Sequence, residues 1–208
     1  MKTDAPRTRR PLTDREISKF LSLVLRHAPE RIAISLNPQG WVETTILIRQ
    51  ARRHGQTFDL PSLQRVVRDN DKQRFTLSPD GKRIRAAQGH SIAVDLALPP
   101  AIPPAVLWHG TARTSLESIF RDGLLPGRRR HVHLSNDEAT AMTVGTRHGR
   151  AVVMRVAAGR MHDDGLTLWR AANGVWLTDA VPPCSLSFTC RACGRTGAAR
   201  AARSGEQA

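Results

Sequence analysis

Apolar residues fall into two textures along this chain. From Asp14 to Pro29, Ile17, Phe20, Leu21, Val24 and Leu25 recur at three- and four-residue intervals, one buried stripe of a helix that Asp14 can cap and Pro29 ends. An Asn37-Pro38-Gln39-Gly40 turn leads into a short strand at Trp41-Val42. Ile46, Leu47 and Ala51 predict a second helix. Asp59 and Pro61 open a third, which turns Leu63, Val66 and Val67 inward. Arg74-Phe75-Thr76-Leu77 and Lys82-Arg83-Ile84-Arg85 then flank a Ser78-Pro79-Asp80-Gly81 turn, the pattern of a basic hairpin.

Helices followed by a hairpin describe a winged-helix module over residues 13–95, a shape often used on nucleic acid. Leu98-Pro99-Pro100-Ala101-Ile102-Pro103-Pro104 marks a boundary, since proline disfavours helix and removes backbone donors; residues 96–104 read as a linker. Beyond it the texture changes to short strands at Val106–Trp108, Val132–Leu134, Ala151–Val156, Gly174–Leu177 and Leu186–Phe188. Helices around Ser115–Phe120 and Asp137–Met142 interrupt them, so residues 105–188 form a mixed, strand-rich second lobe. The fold class expected is α+β. Residues 1–12 read as a disordered basic arm, and the Ala-, Arg- and Gly-rich stretch 189–208 as a disordered tail.

Charge narrows the partner. The chain has 208 residues, with 32 Lys and Arg against 18 Asp and Glu, a formal net charge of +14. The excess is partly peripheral, with arginines and a lysine in the first ten residues and four arginines after residue 189, yet the body between remains basic. A basic body attracts polyanions, nucleic acid first; a plain solubility charge is the bland alternative. No run of about 18 apolar residues occurs, so no membrane span is expected. The N-terminus lacks the apolar core of a signal peptide. Cys184, Cys190 and Cys193 are too few and too clustered for a disulfide framework, which fits a reducing cytoplasm. Cys190-Arg191-Ala192-Cys193-Gly194 is half of a zinc ribbon with no second half, and no metal site is expected.

Several short blocks can carry chemistry. Arg26-His27 closes the first helix, where the helix dipole favours cations, or simply terminates it. Arg74, entering the hairpin after Asp71-Lys72-Gln73, can fork onto a phosphate or sit solvated. Gln88-Gly89-His90-Ser91 can line a cleft or turn the chain. His109-Gly110-Thr111 can admit a ligand at a strand-to-helix turn, or be an ordinary one. Arg128-Arg129-Arg130 runs into His131-Val132-His133-Leu134-Ser135, focusing positive charge beside imidazoles, which suits a phosphorylated ligand.

The order of these blocks is more specific than any one of them. Leu21–Glu30 with Arg26-His27, Gly40-Trp41-Val42, Asp69–Phe75, Ile84–Ser91, Leu107–Thr111, His131–Ser135, Val175–Thr178 and Val181-Pro182-Pro183 together resemble the RNA 2′-phosphotransferase family, from about Ile17 to Phe188. The resemblance implies an N-terminal winged-helix lobe plus a C-terminal ADP-ribosyltransferase-like mixed lobe. It implies NAD as co-substrate and RNA bearing an internal, tRNA-like 2′-phosphate as partner. The 2′-phosphate would attack the ribose carbon bearing nicotinamide. Transesterification of the RNA-2′-phospho-ADP-ribose intermediate would then release 2′-OH RNA and ADP-ribose 1″,2″-cyclic phosphate.

The resemblance further implies a catalytic set of Arg26, His27, Arg74 and one arginine of the 128–130 run, taken as Arg129, two residues before the His-Val-His block. It implies NAD contacts from His109, Gly110, Thr111, His133 and Ser135, with Gln88 and Ser91 added from the first lobe. A monomer is expected. Two rival readings stand beside this one. The same fold could ADP-ribosylate a nucleic-acid terminal phosphate or another phosphorylated acceptor, or a winged-helix binder could carry a degenerate second lobe.

Overall fold

The computed structural model describes residues 12–70, 72–189 and 196–198. The chain divides into two compact units that part between Ala97 and Leu98. Both mix helices with small antiparallel sheets, the α+β class that the hydrophobic pattern predicts.

In the first unit, helix α1 (Asp14–Arg26) buries Ile17, Leu21, Val24 and Leu25. Its cap is Thr13 rather than Asp14. Thr13 accepts from the Glu16 backbone while Glu16 reaches back to the Thr13 backbone, so two orphan donors of the first turn are satisfied reciprocally. Asp14 is thereby freed to pair with Arg65 at 2.8 Å. The helix ends before Pro29, which instead starts a 3-10 turn, Pro29–Ile32. Strand β1 (Val42–Glu43), helix α2 (Thr44–Arg53) and helix α3 (Leu60–Arg68), capped by Asp59 on Ser62, follow as expected. Strands β2 (Phe75–Leu77) and β3 (Arg83–Ala86) complete a sheet of order β1-β3-β2. One core, from Ile17 through Leu47 and Leu63 to Ile84, unites helices and sheet. Leu12, assigned to the arm by sequence, joins this core and bonds to the Thr57 carbonyl; the rest of that arm lies outside the described residues.

The second unit opens with strand β4 (Leu107–Ala112), which is longer than the apolar run suggests. A 3-10 turn at Arg113–Ser115 precedes helix α4 (Leu116–Asp122). Strand β5 (Val132–Leu134), helix α5 (Glu138–Gly145) and strand β6 (Ala151–Val156) come next. Helix α6 (Ala158–Asp163) and strand β7 (Leu168–Arg170) were not legible, being too short to show a period. Strand β8 (Trp176–Thr178) begins two residues later than expected, because Gly174 still turns the chain at φ +79°. Strand β9 (Leu186–Thr189) pairs with β10 (Thr196–Ala198), three residues within the stretch expected to be a disordered tail. The rest of that tail, including Cys190 and Cys193, lies outside the described residues.

Two antiparallel sheets result, β10-β9-β6-β4 and β5-β8-β7. Trp108 and Ser135 exchange backbone bonds of 2.9 and 2.8 Å and so tie β4 to the end of β5. Leu107, Leu134, Met154, Met161 and Leu168 are among the buried residues of the unit's core. The Pro-rich segment read as a linker is also anchored: Ala101 donates to the Leu168 carbonyl, and Pro100 bridges Trp169. Proline at a sheet edge costs no ladder bond where its missing N–H would face outward. Among the described residues, no helix is long and apolar enough to cross a membrane.

Candidate functional site

In the first unit, four of the expected residues meet at the C-terminal end of α1. The orphan carbonyl of Arg26 accepts the Ser91 N–H at 3.0 Å. Gly89, at φ +86°, provides the left-handed step that carries the chain from β3 toward Ser91. The Arg26 guanidinium passes 6.0 Å from the Phe75 ring centroid, and its Nη2 donates to the Arg74 carbonyl at 3.2 Å. His27 caps the helix with its N–H on Leu23 and its ring exposed; Nδ1 lies 2.9 Å from Ser91 Oγ. Ser91 therefore supports both members of the Arg26-His27 pair, one through its backbone and the other through its hydroxyl. Gln88 is half-buried two residues beyond β3.

Arg74 is delivered by a tight turn in which Gln73 adopts φ +39° and bonds back to the Asn70 carbonyl at 2.8 Å. A non-glycine residue in this region is uncommon and carries strain that the surroundings must hold. Arg74 Nη1 reaches Asn70 Oδ1 at a long 3.4 Å, and Asn70 in turn donates to Ser18. Asn70 thus supports Arg74, a role that its place in the Asp69–Phe75 block does not signal.

In the second unit, His109, Gly110 and Thr111 lie inside β4, in register with Met154, Val153 and Val152, not at a strand-to-helix turn. His109 Nδ1 donates to the His133 carbonyl at 3.0 Å, which fixes its tautomer and leaves the lone pair of the neutral ring on Nε2. A side chain on Gly110 would overlap the Ala141 carbonyl and crowd the Gly145 nitrogen, so the glycine admits helix α5. Thr111 is buried. Arg129 Nη1 lies 3.1 Å from His133 Nδ1. Loss of water, and then the like charge of Arg147, hold the Arg129 guanidinium below its usual range. Arg147, on the turn after α5, is a neighbour the sequence offered no signal for.

Other arginines are paired with acids. Arg65, Arg68 and Arg121 pair with Asp14, Asp69 and Asp122. Among the described residues no carboxylate pairs with Arg74 or Arg129. A guanidinium fork without an acid partner is equipped to take an oxyanion such as phosphate. The described residues contain no cluster of three or more metal-ligating side chains, and Cys184 is exposed.

Fold and site thus define a mixed α+β protein in which each unit groups arginine with histidine, Arg26 with His27 and Arg129 with His133. Comparison with known proteins makes this specific. The model of the RNA 2′-phosphotransferase, Tpt1 / KptA family matches residues 13–180. A probable RNA 2′-phosphotransferase of Agrobacterium fabrum is 57% identical over 165 residues, covering 79% of this chain and 89% of that protein. Proteins of the same description from Hahella chejuensis (52% over 171 residues, 82% and 92% covered) and Streptomyces griseus (51% over 175 residues, 81% and 93% covered) are similarly close. The chain belongs to the RNA 2′-phosphotransferase family, a family of transferases.

Proposed function

We propose that this protein removes an internal 2′-phosphate from RNA by transferring it to NAD, along the two-step course that the sequence resemblance implies. The observation that carries the reading is the meeting of Arg26, His27, Arg74 and Ser91 at the C-terminal end of α1, in a chain of this family. The helix–strand–helix–helix–hairpin order of the first unit supports reading it as a winged helix that engages RNA. The second unit is read as an ADP-ribosyltransferase-like lobe that holds NAD.

In this reading Arg26, Arg74 and Arg129 neutralise and orient the 2′-phosphate, each charge-assisted bond contributing on the order of 1.5–3 kcal/mol. A phosphate dianion needs no general base to act as nucleophile, so orientation and charge are what these side chains supply. NAD supplies the electrophilic ribose carbon and a neutral leaving group. In the second step a hydroxyl must lose a proton and charge builds on phosphorus oxygens; His27, held through Nδ1 by Ser91, presents Nε2 for that work. His109 and Thr111 on β4, His133 on β5 and Ser135 just after it serve as NAD contacts, and Gly110 contributes by letting α5 close on the strand. Gln88 and Ser91 are the contacts proposed from the first unit.

The test is incubation with NAD and a 2′-phosphorylated oligoribonucleotide, scoring 2′-OH product and nicotinamide. Product from both is expected. Nicotinamide release with 5′-phosphorylated DNA but not with the 2′-phosphorylated RNA would move the activity to terminal phosphates. No release with either acceptor would leave a non-enzymatic binder.

A further inference from the structure

Arg129 has an uncommon partner. Its guanidinium carries only donors, so His133 Nδ1, 3.1 Å away, must present a lone pair and the ring must be neutral. Both ends of this contact are braced. The Arg129 N–H closes a turn onto the Pro126 carbonyl at 3.1 Å. His133 sits mid-strand in β5, in register with Leu177 of β8, and its carbonyl receives His109 Nδ1–H at 3.0 Å. Charged and titratable groups by the pair include Arg147 and His109 on β4, while His131, two residues before His133, lies 3.8 Å from Asp179. None of these gives Arg129 a carboxylate, and the like charge of Arg147 makes an alternative anchor for the guanidinium more valuable.

We infer that His133 is a positioning residue, a neutral imidazole that holds the Arg129 guanidinium ready for phosphate and lets it go when protonated. This rests on the proposed role of Arg129 as a phosphate ligand. The sequence resemblance assigns His133 to the NAD pocket; the geometry assigns its Nδ1 to Arg129. Protonation would place a ring N–H against a guanidinium N–H, with two like charges at hydrogen-bond distance. Imidazole ordinarily changes charge between about pH 5 and 8. The guanidinium beside the ring opposes that protonation, so the hold on Arg129 lasts while His133 is neutral and is lost only where acid protonates it.

A double-mutant cycle separates this role from a direct contact with NAD. Turnover of a 2′-phosphorylated oligoribonucleotide at saturating NAD is measured for wild type, Arg129→Ala, His133→Leu and the double variant. Each single change is expected to lower kcat by about 10- to 100-fold, the loss of one hydrogen bond to a charged group. The double variant should fall no further than Arg129→Ala, within about twofold. His133→Asn, whose amide oxygen can accept where Nδ1 did, should recover about tenfold over His133→Leu. It should also have a shallower acid limb than wild type, because an amide does not titrate. Full addition of the two single losses overturns the inference, and so does a His133→Asn acid limb that superimposes on wild type. Wild-type turnover by Arg129→Ala would instead remove Arg129 from the phosphate site, a failure of the reading underneath.

Discussion

The two units position their candidate residues by different means. In the first, Arg26, His27, Arg74 and Ser91 sit at element ends and in turns, held by bonds such as Ser91 N–H to the Arg26 carbonyl and Arg26 Nη2 to the Arg74 carbonyl. In the second, His109, Gly110, Thr111 and His133 lie within β4 and β5, where strand register sets which face each one takes. Junctions can tolerate small adjustments, because each bond is local. A register is collective, so a one-residue slip turns every side chain on the strand to the other face.

Glycine substitutions test this contrast most sharply. Gly110→Ala sets a methyl against the backbone of α5, which cannot rotate away, and should cost about 3 kcal/mol or more of second-unit stability. Thermal unfolding would show it, and an unchanged melting profile would refute the close seating of α5. Arg74→Ala should leave unfolding alone while lowering turnover roughly 100-fold, through the loss of a charge-stabilising donor. Wild-type turnover of this variant would remove Arg74 from the phosphate set. Gly89→Ala has room, with the new carbon 3.7 Å from Arg26 Nη1, and meets only the strain of φ +86°. About 1 kcal/mol is expected, seen as a modest fall in melting temperature; a cost matching that of Gly110→Ala would erase the distinction between the units.

The smallest effect belongs to the surface. The hydrogen bond from Arg65 is the chief cause that holds the Asp14 carboxyl below its usual range, against some desolvation and with help from the Arg65 charge. A carboxyl lowered in the folded state contributes stability above its unfolded pKa and loses it as pH falls through the folded value. Asp14→Asn should flatten the acid slope of the melting temperature slightly below about pH 4 and leave turnover unchanged. An acid slope as steep as wild type would mean that the pair with Arg65 contributes nothing.

The same contrast explains what the sequence could disclose. Helix stripes, Asp59 capping on Ser62 and the Ser78–Gly81 hairpin turn are local, so the first unit's helices and hairpin were legible in the order of residues. Thr13-Asp14-Arg15-Glu16 carries the equally local capping-box spacing, but Asp14, a common cap residue one position on, draws the expectation away from Thr13. In the second unit, His109-Gly110-Thr111 looked like a turn because the apolar run stops at Trp108; only pairing with the distant β6 carries the strand onward. Gly110 suggested room for a ligand, and the room belongs to α5. The Arg129–His133 bond and the Arg147 neighbour depend on chain reversals that no spacing rule encodes.

The missing side chain at Gly110 also works as a checksum on folding. A slip of β4 by one residue would turn His109 or Thr111 toward α5, and a slip by two would bring Trp108 or Ala112 there. Every one of these has a Cβ where only hydrogen fits. Mispaired intermediates therefore cannot dock α5, and the helix can seal the sheet only once the strand is aligned.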